Sequence, residues 1–161
     1  MLESYCADIE NLLREGLARD AFRVSLSLPD ISAALEDPQL ESSREQYVRW
    51  CDAWLTLAAP EKGKPIDGAR LYRLYAGRAR LSAEAQQVRT SEALARLRMS
   101  RRARGTRSLP RAPLAPPLNA IQALEMTLTE GLIQAARRWY RDQGAGAAIV
   151  QRNLGRLLIS G

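Results

Sequence analysis

Histidine is missing from all 161 residues of this chain. Its absence removes every Ser-His-Asp or Cys-His nucleophilic arrangement, every imidazole metal ligand and every ribonuclease mechanism with histidine as acid and base. Catalysis would have to rest on carboxylates, tyrosines or arginines, and no such constellation is visible, so the chain is expected not to be an enzyme. Cysteine is nearly missing too, with only Cys6 and Cys51 present. A structural zinc site takes about four Cys or His ligands, so no metal is expected, and no cofactor motif is found. Both cysteines fall on apolar helical faces and read as small buried hydrophobes of a reducing compartment. No apolar run reaches the length of about eighteen residues that a membrane span needs. The opening "MLESYCADIENLL" carries acids where a secretory leader would carry bases. These absences predict a cytoplasmic protein that neither crosses nor binds a membrane.

Acidic residues are absent from one stretch in particular. "LARLRMSRRARGTRSLPRAP", residues 94–113, holds seven arginines and no Asp or Glu. The net charge of +6 is unevenly spread: residues 1–68 carry 7 basic and 13 acidic side chains, or −6, and residues 69–161 carry 17 and 5, or +12. Such asymmetry suggests an acidic body with a basic binding surface or arm. Arginine supplies 22 of the 24 basic residues. With Ala and Leu abundant throughout, that preference reflects a GC-rich coding bias as readily as bidentate phosphate recognition.

Hydrophobic periodicity is helical throughout, and no useful stretch alternates with period two. Leu2, Tyr5, Cys6, Ile9, Leu12, Leu13 and Leu17 share one face of a first helix running to about Ala18. Between Asp20 and Asp37, Pro29 forces a kink at 27–29 and a restart that ends near Glu36. Ser42 and Glu45 have capping-box spacing before an apolar face of Tyr47, Trp50, Cys51, Trp54, Leu55 and Ala58. Asp67 is a natural N-cap for a helix from Gly68, with Leu71, Leu74 and Tyr75 inward and Arg70, Arg73 and Arg80 outward. Ser82 caps the next helix, which carries a Glu92–Arg96 pair. Residues 99–117, rich in arginine and proline, bury almost nothing apolar and read as a flexible basic linker. Periodicity returns from Leu118 through Ile121, Leu124, Leu128, Leu132, Ala135 or Ala136, and Trp139, and again from Ala147 to Leu158. At 161 residues this predicts one domain: an all-α bundle of six or seven helices spanning 1–161, large enough to fold without staples.

The stretches "FRVSLSLPDISAALEDP", "SREQYVRWCDAWL", "GARLYRLYAGRARL" and "LEMTLTEGLIQAARRWYRD" resemble an uncharacterised group of bacterial helical proteins. That group is similar to HEPN domains, the higher eukaryote and prokaryote nucleotide-binding helical bundles. The resemblance is discontinuous and leaves 76–114 unmatched. It implies a helical bundle with an affinity for RNA or for a partner protein. Active HEPN ribonucleases place a histidine four to six residues after an arginine; Arg73 is followed by none, so the resemblance extends to the scaffold and not to the acid–base site.

Three functions follow from these residues. The first is non-catalytic binding of nucleic acid, RNA in particular. Arg96, Arg98, Arg101, Arg102, Arg104, Arg107 and Arg111 would neutralise phosphates, and Arg73 with an exposed Tyr72 would stack on bases. The second is an antitoxin-like adaptor or other interaction protein that docks on a protein partner or on a second copy of itself. The third is a ribonuclease-like enzyme with a histidine-free site. Against the first stands a plainer reading, in which the arginine tract is solvated or folds onto the acidic half. Arg137, Arg138 and Arg141 need no ligand, because bases in a last turn complement the helix dipole. Asp30, Glu36 and Asp37 read as caps and turns.

Overall fold

The computed structural model describes residues 1–55, 67–77, 82–100 and 119–159, and every regular element among them is helical. The all-α, single-domain bundle expected from the sequence is the fold observed. Its helices are α1 (Leu2–Arg14), α2 (Ala18–Ser25), α3 (Leu28–Glu36), α4 (Arg44–Trp54), α5 (Gly68–Ala76), α6 (Ala83–Ser100), α7 (Ala120–Trp139) and α8 (Ala148–Ile159). A wider π turn, Tyr140–Gly144, prolongs α7. None of these helices is long and apolar enough to cross a membrane. Most of the 99–117 stretch lies outside the described residues, but Met99 and Ser100 belong to α6.

The short helix α3 organises the bundle. Its sequence is apolar nearly all the way round, and a helix of that kind is stable only when surrounded. Every residue from Leu28 to Leu35 is buried, and α4, α6, α7 and α8 all pack against it. Pro29 sits in its first turn, where a missing N–H costs nothing, so the proline starts the helix after a break at 26–27. Around α3, helices α1 and α2 lie against α7, and α4 pairs with α5. Trp139, Tyr47, Ile9, Leu35, Leu71, Leu97 and Leu132 fill the centre.

Three boundaries differ from the sequence pattern. Helix α1 stops at Arg14 rather than near Ala18, because Gly16 takes a left-handed φ of 78°. The Gly16 N–H then reaches the Leu13 carbonyl and the Leu17 N–H the Leu12 carbonyl, which is the Schellman arrangement. The capping box of α4 is Ser43 with Gln46, one residue beyond the Ser42–Glu45 pair: the Ser43 hydroxyl accepts from the Gln46 N–H at 3.2 Å, and the Gln46 side chain accepts from the Ser43 N–H at 2.7 Å. Two spacings fitted the motif, and Ser43 is the residue with extended backbone. At the start of α7, Ile121 and Leu124 are 69 % and 44 % exposed, so the apolar stripe extends beyond the packed interface, which begins at Leu128. The Asp67 and Ser82 caps form as expected, accepting from the Arg70 and Ala85 N–H groups.

The α4–α5 contact tolerates no side chain at Gly68. A Cβ there would lie 2.6 Å from the Val48 carbonyl oxygen and 2.9 Å from the Cys51 Cβ, and the Gly68 N–H donates to Asp52 Oδ1. Gly68→Ala should therefore cost about 2 kcal/mol, because the obstacle is backbone. A Cβ added to Gly155 in α8 would meet nothing within 4 Å. Gly155→Ala should raise stability by roughly 0.5–1 kcal/mol through helix propensity alone. Thermal melts of the two variants moving in the same direction would contradict this packing.

Candidate nucleic-acid interface

A groove of about 670 Å³ runs between the end of α2, the end of α5 and one face of α6. Helical spacing brings Ala85, Val88, Arg89, Glu92 and Arg96 of α6 to this side, with Arg89 and Arg96 two turns apart. Helix α2 adds Arg23, and α5 adds Leu74 and Tyr75. The lining holds three arginines and one carboxylate, a net +2. Among the described residues, no ion pair within 4 Å involves Arg23, Arg89 or Arg96.

The floor of the groove is rigid for an identifiable reason. Asp30, wholly buried on α3, accepts from the Tyr75 hydroxyl at 2.9 Å and from the Gln86 side-chain amide at 2.8 Å. Gln86 in turn accepts from the Tyr72 hydroxyl at 2.7 Å. The Tyr47 ring stacks on that of Tyr75 with centroids 5.2 Å apart, and its hydroxyl donates to the Leu26 carbonyl. Burial raises the Asp30 carboxyl above the usual carboxylate range, and the donated hydrogen bonds oppose this. Burial first, and then the Asp30 carboxylate, push the Tyr75 hydroxyl above the phenol range. Arg89 closes the assembly: its guanidinium donates to the Tyr75 carbonyl and lies over the Tyr75 ring, 5.6 Å from the centroid.

The predicted binding residues are divided by this geometry. Arg96 lines the groove and is exposed. Arg98 is half-buried near the end of α6, and Arg73 is exposed on α5 away from the groove lining. Arg101, Arg102, Arg104, Arg107 and Arg111 lie outside the described residues. Tyr72 corrects the expectation of an exposed stacking ring: it is 7 % exposed, with its hydroxyl engaged by Gln86. Leu74, expected inward, is 50 % exposed, and Tyr75 is half-buried. Arg23 and Arg89 carried no signal as a pair, since only the fold brings α2 to α6.

Other charged groups also have structural partners. Asp30 is no cap or turn; it is the buried acceptor just described. Glu36 accepts from the Trp139 indole N–H at 2.7 Å, whereas Asp37 does hold a turn through the Gln39 N–H. Arg137 is more than a complement to a helix dipole: it bridges Glu3 and Glu10 of α1, each at 2.6 Å. Arg138 donates to the Trp54 carbonyl at the end of α4. Cys6 and Cys51 are buried and unlinked, and burial pushes the Cys6 thiol up to about 12, away from reactivity. Among the described residues no cluster of Cys, Asp and Glu could hold a metal ion. Comparison with family models, with curated proteins and with solved structures finds no match for this chain.

Proposed function

We propose that this protein binds nucleic acid, RNA in particular, without acting on it chemically, and that it does so in the cytoplasm. The observation that carries the reading is the meeting of Arg23 from α2 with Arg89 and Arg96 from α6 along one groove, which has no compensating ion pair among the described residues. Helix α6 ends four residues after Arg96, and the sequence then supplies Arg101, Arg102, Arg104, Arg107 and Arg111. Phosphates drawn to one group would meet the other, and contacts of this kind give affinity with little sequence choice.

Two further observations support the reading. Glu3 and Glu10, two of the 13 acids in residues 1–68, are already held by Arg137, which leaves fewer carboxylates for the basic tract to fold onto. The buried, unlinked cysteines suit a reducing compartment. A HEPN-like origin for the scaffold belongs to the same proposal, with Arg73 kept at an exposed position and the histidine gone.

A mobility shift with a short single-stranded RNA tests it. Affinity should fall about a thousandfold between 50 and 200 mM salt, the drop expected for seven phosphate contacts. A shift that is absent at low salt, or indifferent to salt, overturns the assignment. Recovery of a protein partner that survives nuclease treatment, with no RNA shift, would favour the adaptor.

A further inference from the structure

Within that nucleic-acid reading, on which this step rests, we propose that the groove between α2, α5 and α6 is a slot for one unpaired base, so that the ligand is a single strand rather than a duplex. A site that served phosphates alone would need charge and no apolar walls. This groove has such walls. Leu74 and Val88 stand on them at 50 % and 58 % exposure, large apolar surfaces left to water inside a concavity. In the same groove Arg89 is held in place by its bond to the Tyr75 carbonyl and by its contact with the Tyr75 ring. A guanidinium fixed in this way is an oriented plane, and such planes, like aromatic rings, carry stacked bases in single-stranded recognition.

The supporting hydrogen bonds run from Tyr75 and Gln86 to buried Asp30, so the platform is tied to the central helix rather than to a loop. Arg23 and Arg96, both exposed and both lining the same groove, would take the phosphates that flank the seated base. A base inside a duplex keeps both faces stacked and cannot enter the slot. The expected consequence is discrimination by strandedness, worth about tenfold or more for a single stacked base.

The experiment measures affinity at one salt concentration for a labelled single-stranded RNA and for its duplex of equal length, and repeats both across a salt series. The proteins are the unaltered chain, Arg89→Lys and Leu74→Ser. Arg89→Lys keeps the charge and removes the plane. Leu74→Ser changes a half-exposed side chain, so a folding defect in one variant does not compromise the other. The unaltered chain should prefer the single strand by about tenfold or more. Each variant should bring single-strand affinity down toward that of the duplex while leaving the steepness of the salt dependence as it was. Equal and equally salt-dependent binding of both strands sinks the slot and leaves the nucleic-acid reading standing. A preference intact in both variants also sinks it, as does an acidic peptide of matched charge that binds as tightly as the single strand. Failure to bind either nucleic acid at low salt removes the underlying reading itself.

Discussion

Changing Arg101, Arg102 and Arg104 together to glutamate should abolish the RNA shift at physiological salt. Counterions set the size of the effect. A single strand releases bound cations for each phosphate that a guanidinium neutralises, so log affinity falls against log salt with a slope of about −0.7 per contact. Seven contacts give a slope of about −5, and losing three leaves one of about −3 before any repulsion is counted. Each reversal also places a carboxylate where a phosphate would lie, so the measured loss should exceed the loss from neutral replacements. The double change Arg23→Glu and Arg96→Glu should flatten the slope as well, since these two arginines share the groove. Arg152→Glu, exposed on α8, alters net charge without touching that lining and should do far less. A triple variant with the slope of the unaltered chain would place the phosphate contacts elsewhere on the molecule.

How much of this could be read from the sequence depends on what each feature requires. Helices announced themselves, because an apolar residue every three to four positions is a local property, and so did the Asp67 and Ser82 caps. Pro29 marked the start of α3 for the same local reason. Which residues of a nine-residue helix face inward is not local. Helix α5 packs mainly on α4, which draws Tyr72 inside and leaves Leu74 out, although the spacing of Leu71, Leu74 and Tyr75 suggests otherwise. Gly16 illustrates a competing signal: the apolar pattern continues to Leu17 and Ala18, and a left-handed glycine ends the helix regardless. The candidate site was half legible. Arg96 stood out because it begins a run of arginines. Arg89 required its two-turn spacing to be noticed, and Arg23 required the fold. Asp30 was the hardest, since a carboxylate one residue past a proline has the same local appearance whether it caps a turn or anchors a core.

Asp30 therefore carries the strongest stability prediction. Asp30→Ala should destabilise the protein by about 4 kcal/mol, since the Tyr75 hydroxyl and the Gln86 amide each lose a buried acceptor at roughly 1–3 kcal/mol apiece, with a small cavity added. Asp30→Asn should be far milder. Its carbonyl can accept from Gln86 and its amide can donate to the Tyr75 oxygen, so only the Tyr75 hydroxyl proton loses its acceptor, and no charge is buried. Asp30→Asn and the unaltered chain also separate through pH. Burial raises the folded Asp30 carboxyl above its unfolded value, so between the two the folded state holds a proton that the unfolded chain has released. Stability from this group is then fully present below the ordinary carboxylate range, declines as pH rises through that window, and is level above the folded value. Asp30→Asn should remove the decline while keeping the fold, so its stability relative to the unaltered chain should rise across the same window. Denaturant melts at several pH values measure all of this. If Asp30→Asn were as damaging as Asp30→Ala, the two donors would not be what Asp30 is buried to satisfy, and the floor of the groove would need a different account.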